Sequence, residues 1–160
     1  MERNGFFPTK EEIEEFFQEK GKSVSYGTIS ISGNFEYGKA ISGYNGISVV
    51  NPHPGVAMTK SHGISIVKDG SMAVSGDAGI SISQYKGISI SKEEGIAFAG
   101  VEGIASAGDD GVIMLLYYDK NKNGRYRVIV GYVGENGIEA NKKYKLNDNN
   151  EFVEEVDFDK

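Results

Sequence analysis

The chain has no cysteine and no tryptophan, and only 3 of its 160 residues are proline. Without cysteine, no disulfide framework and no thiolate-bound metal can organise the fold. Positive charge is also in short supply. The 17 Lys and Arg are outweighed by 23 Asp and Glu, leaving a net charge of −6, which argues against direct nucleic-acid binding through a basic face. No apolar stretch approaches the ~20 residues of a membrane-spanning helix. The segment from Met1 to Lys22 is acidic and lacks the apolar core of a secretory signal. A soluble, cytoplasmic protein without a membrane partner is therefore expected, of about one domain.

Glycine, in contrast, is abundant at 22 residues, and most of it falls at one phase of an eight-residue phrase. The phrase is cleanest in Gly79-Ile-Ser-Ile-Ser-Gln-Tyr-Lys86 and Gly87-Ile-Ser-Ile-Ser-Lys-Glu-Glu94. Eleven octads run from Thr28 to Tyr118, with two extra residues (Glu36, Tyr37) after the first and one (Pro54) after the third. Position one is Gly in nine of the eleven. Positions two and four are apolar with one exception each, Lys39 and Ser106, and position three is Ser or Ala everywhere except Ile113. Alternation with period two over four residues predicts a short strand, which Ile and Val favour. Glycine at position one, and again at position six (Gly33, Gly43, Gly76, Gly100, Gly108), suits a tight corner with φ > 0.

Two octads make the smallest coil that returns to its start, and a fixed period of this kind is the signature of a stacked solenoid. The expected fold is all-β: a two-sheet β-solenoid with 16 residues per coil, a short N-terminal α-helix and a C-terminal β-hairpin cap. The divisions are 1–27 for the helix, 28–118 for the solenoid, and 119–160 for the cap and acidic tail. Coils about 4.8 Å apart would make a rod of roughly 26 Å. Large side chains at positions two and four are expected to face inward, with the Ser/Ala rows outside. The inverse, with Ser and Ala in a thin core and the Ile rows displayed, would leave an apolar face prone to self-association.

At the N-terminus, Thr9 and Glu12 form a capping box, Ile13, Phe16 and Phe17 recur at helical spacing, and Gly21 is a stop. The stripe would cover the open end of the solenoid. The acidic side, with Glu11 and Glu15, would be available to a basic partner. At the C-terminus, Val112–Tyr118 and Arg125–Val133 flank an Asn/Gly-rich turn and read as a hairpin. Further strands are expected around Lys143–Leu146 and Glu151–Val156. This segment would cap the other end. Tyr117, Tyr118, Arg125, Tyr126, Arg127 and Tyr132 make it the richest surface for a protein partner.

Sites of chemistry are hard to find. Asp119-Lys-Asn-Lys-Asn-Gly124 matches the first half of a calcium loop, but the bidentate Glu needed at the twelfth position is Val130. His53 and His62 both end octads and read as corner residues at opposite corners of the coil. No nucleophile–base set or phosphate loop accompanies them. Hence no enzyme, cofactor or metal is expected.

The octads resemble the repeats of 16-residue-coil solenoids built from G-T-A-T-A-G-type units, found in ice-nucleation proteins and in phage-encoded bacterial proteins. The stretch from Arg125-Tyr-Arg through Val130-Gly-Tyr-Val-Gly-Glu135 to Tyr144-Lys-Leu146 is similar to the closing segment of the phage-encoded group. The match departs where Ile replaces Thr at positions two and four, and where the N-terminal domain is reduced to a helix. The resemblance implies a solenoid of phage or prophage context and carries no catalytic residues. It favours a non-enzymatic interaction protein that inhibits a host protein or defence complex, in the manner of an anti-CRISPR. The alternatives are a self-associating structural module, for which the Ile rows would have to be displayed, and an ice binder, which the scarcity of Thr opposes. A nucleic-acid mimic is the weakest version, with five Lys against eight Asp and Glu between Thr28 and Tyr118. Two rods could pair as a homodimer if either sheet is flat and uncharged.

Overall fold

The computed structural model describes Glu11 and residues 29–32, 38–51, 54–120 and 124–156. The strands among them are β1 (Ile29–Ser32), β2 (Gly38–Ser42), β3 (Ile47–Val50), β4 (Gly55–Thr59), β5 (Ile64–Val67), β6 (Met72–Val74) and β7 (Ile80–Ser83). They continue with β8 (Ile88–Ile90), β9 (Ile96–Ala99), β10 (Ile104–Ser106), β11 (Val112–Asp119), β12 (Arg125–Tyr132), β13 (Tyr144–Leu146) and β14 (Phe152–Glu154). Each octad supplies one strand. Odd octads stack as sheet A, in the order β1-β3-β5-β7-β9-β11-β12, and even ones form sheet B, in the order β14-β13-β10-β8-β6-β4-β2. Within the repeat every neighbour is parallel and in phase: Ile29 pairs with Ile47, Ile47 with Ile64, Ile64 with Ile80, Ile80 with Ile96, and Ile96 with Val112. The extra residues after the first and third octads leave this register undisturbed. The fold is thus the two-sheet solenoid of 16-residue coils that the period predicts. The predicted helix stripe, Glu15, and His53 lie outside the described residues, while Glu11 is helical and exposed.

The orientation of the rows is the reverse of the favoured expectation. Positions three and five face inward, and the Ile-rich positions two and four face outward. Ser48, Ser65, Ser81, Ser83, Ser89, Ala57, Ala73, Ala97, Ala99 and Ala105 are all 0 % exposed. Size decides this. A coil closed in sixteen residues leaves four-residue corners, which hold the sheets too close for two layers of branched side chains. Burying hydroxyls is tolerable only if each finds a partner, and these do. Across the core Ser48 Oγ donates to the Met58 carbonyl at 2.9 Å, Ser65 Oγ to Val74 at 2.7 Å, Ser81 Oγ to Ile90 at 2.5 Å and Ser89 Oγ to Phe98 at 2.5 Å. Hydroxyl pairs Ser42–Ser48, Thr59–Ser65, Ser75–Ser81 and Ser83–Ser89 join residues six apart around the corners.

The corners also differ from expectation. Positive φ falls at position eight, not at the glycines, and is held by Asn45, His62, Gly70, Ala78, Lys86, Glu94, Glu102 and Asp110. Their amides bond the next coil, as His62 N to Asp77 O at 2.8 Å and Ala78 N to Glu93 O at 2.7 Å. The glycines are there for space. A Cβ on Gly79 would lie 2.7 Å from the Ser75 Cβ, and one on Gly100 would lie 2.6 Å from the Gln84 carbonyl carbon in the coil beneath.

At the C-terminal end the interior widens to Ile113 and Leu115, over which Ile138, Tyr144, Val133, Leu146 and Phe152 pack. β12 folds back antiparallel on β11, and β13 pairs antiparallel with β10, with β14 beyond it. Both sheet ends are thereby turned, as a cap requires. The Tyr144 hydroxyl accepts from the Glu139 amide at 2.8 Å and donates to the Gly137 carbonyl at 3.3 Å, fixing the turn to the strand.

Candidate interaction surface

The outward rows of sheet A form one flat apolar face. Position two contributes Ile29, Ile47, Ile64, Ile80, Ile96 and Val112, and position four Ile31, Val49, Ile66, Ile82, Phe98 and Met114. Most are half-buried only by their neighbours along the ladder, while Ile29 and Ile31 on the edge strand are 67 % and 73 % exposed. β12 extends the same face, because Tyr132, Val130, Val128 and Tyr126 lie directly opposite Val112, Met114, Leu116 and Tyr118. No charged side chain interrupts these rows across seven strands, a span of about 29 Å.

Beyond Leu115 the β11–β12 hairpin leaves the stack as a two-stranded ribbon, since β9 pairs only with Val112–Leu115. Its outer side and the neighbouring corner column enclose a groove of about 460 Å³, lined by Ile82, Tyr85, Phe98, Leu116, Tyr118 and Tyr126 among others. Tyr118 and Tyr126 meet edge to face, with ring centroids 5.2 Å apart. On the corner, the Tyr85 hydroxyl donates to Glu102 at 3.1 Å and Lys86 Nζ lies 3.3 Å from the same carboxylate. Hydrogen bonding to Tyr85, and then to Glu102, holds the Lys86 pKa above its ordinary 10.5.

The residues singled out from the sequence divide between two surfaces. Tyr118, Tyr126 and Tyr132 join the open face. Tyr117, Arg125 and Arg127 lie on the reverse side of the ribbon, where Arg127 Nε is 3.0 Å from Asp119 Oδ2. Glu11 is not joined to either group by any described contact. The sequence reading missed the Ile rows as surface, although the Ser/Ala composition of positions three and five was the signal for a core too thin to take them. The other corner column carries exposed Asp77, Glu93, Glu94, Asp109 and Asp110. Among the described residues no group of three or more His, Cys, Asp or Glu could hold a metal ion. No helix among them is long and apolar enough to cross a membrane.

Compared with protein-family models, with curated proteins and with solved structures, the chain finds no match in any of the three.

Proposed function

We propose that the protein is a non-enzymatic binding solenoid that docks on a host-cell protein through the open face of sheet A and blocks it. The observation that carries this reading is the face itself: uninterrupted rows of Ile, Val, Phe and Tyr with no charge among them. Single exposed hydrophobics need no explanation, but a contiguous flat apolar surface marks an interaction site. The groove beside Tyr85, Tyr118 and Tyr126 suits an anchoring side chain of the partner, since interface energy concentrates where aromatic residues line such pockets. The likeness of the repeat and tail to phage-encoded solenoids supports a cytoplasmic defence factor as the partner, inhibited in the anti-CRISPR manner.

The test is phage plating on hosts carrying individual defence systems. The chain, when expressed, should restore plating on one of them. The Ile82→Lys/Phe98→Lys variant should not, although its circular dichroism is unchanged. No restoration on any host, with concentration-dependent self-association in sedimentation, would instead make the open face an assembly surface.

A further inference from the structure

The outer faces of the two sheets carry the same repeat positions, yet only sheet A is open. Ile80, at position two on β7, is half-buried. Ile88, at the same position one octad later on β8, is 1 % exposed. Around it Val56, Met58, Met72 and Val74 are 4 %, 3 %, 3 % and 0 % exposed, forming one cluster flanked by the half-buried Ile90 and Ile104. Towards β2 the cover ends, for Ile41 is 44 % exposed. A finite body therefore lies across β4, β6 and β8, a width of about 10 Å between the outer strand axes.

No described element supplies that body, because β4, β6 and β8 make their contacts with neighbours in the stack and with the strands of sheet A. The chain outside the described residues comprises 1–28 (Glu11 excepted), 33–37, 52–53, 121–123 and 157–160. Only the first is long enough to shield three strands. We propose that residues 9–21 lie as an amphipathic helix across the outer face of sheet B, with Ile13, Phe16 and Phe17 on the Val56–Ile88 cluster. Thirteen helical residues span about 20 Å, enough for the buried width, and their apolar stripe matches an uncharged floor. Charge agrees as well. The corner lysine Lys60 is 5 % exposed, whereas Lys68 on the opposite corner column is exposed. The cover thus reaches over the Lys60 corner, where a helix bearing Glu11, Glu12, Glu14, Glu15 and Glu19 brings carboxylates. The helix is then a cover for a face instead of the end cap predicted from the sequence, and it leaves the solenoid with a single open side. This holds whether or not sheet A binds a host protein.

The absence of cysteine makes the test direct. Full-length chains carrying Phe16→Cys with Met72→Cys, or Phe16→Cys with Ile80→Cys, are treated with a short bis-maleimide at low protein concentration. An intramolecular link in the sheet B pair and none in the sheet A pair is expected, and Val56→Cys serves as a second sheet B position if Met72→Cys unfolds. Equal linkage to sheet A, linkage only between chains, or no linkage in a chain with native circular dichroism would overturn the proposal. Phe16→Asp/Phe17→Asp should also speed amide exchange in β4, β6 and β8 and raise binding of an apolar dye. Unchanged exchange and dye binding would count equally against it.

Discussion

Ser91 shows how closely the interior depends on paired hydroxyls. It is 1 % exposed, and its Oγ has no hydrogen-bond partner among the described residues. Its counterparts Ser75 and Ser83 are paired with Ser81 and Ser89, six residues on. Six residues on from Ser91 stands Ala97. Ala97→Ser should supply the missing partner and stabilise the chain by about 1 kcal/mol in urea unfolding, whereas Ser81→Ala should cost about 1–3 kcal/mol by orphaning Ser75. Neighbouring residues at one corner should likewise respond with opposite signs. Ala78 holds φ 49°, a region that costs an L-residue about 1–2 kcal/mol, so Ala78→Gly should be neutral to stabilising. Gly79→Ala would drive a Cβ to 2.7 Å from the Ser75 Cβ and should cost about 1–3 kcal/mol. Neither effect could be read from residue type alone. Position eight holds Asn, His, Gly, Ala, Lys, Glu and Asp, a mixture that conceals a shared backbone conformation, while the conspicuous glycines answer to crowding.

At the scale of elements, the octads were legible because β-branched alternation and a constant period act in every strand, so even the strands after the hairpin fall near their predicted places. Which side of each strand faces in was not legible from hydropathy, since period two marks two faces without saying which is inside. Side-chain volume settles it, and the Ser/Ala rows at positions three and five were its visible trace. The cap depends on Tyr144, whose hydroxyl holds the Glu139 amide and the Gly137 carbonyl. Tyr144→Phe should cost about 1–3 kcal/mol by leaving that amide without its acceptor. Faster hydrogen exchange at Glu139 would locate the loss in the cap, and unchanged exchange there would mean that the turn is held by packing alone.

At the scale of the molecule, two octads separate one strand from the strand stacked on it. Length should therefore change in units of sixteen residues. Deleting Gly79–Glu94 removes one coil and joins equivalent positions, so the shorter rod should keep its β spectrum and its cap. Deleting Gly79–Lys86 removes half a coil. Every later octad then changes sheets, and β11 with its hairpin would arrive on the wrong side. That chain should lose cooperative unfolding or aggregate. The polar interior has a thermal consequence too. Unfolding hydrates apolar surface with a gain in heat capacity of about 0.45 cal/K/mol per Å² and polar surface with a loss of about 0.26. A core of Ser hydroxyls and Ala methyls should therefore bring the calorimetric increment below the usual ~12–15 cal/mol/K per residue. The stability curve would be unusually flat, and cold would threaten this rod less than it threatens an oil-filled domain of the same length.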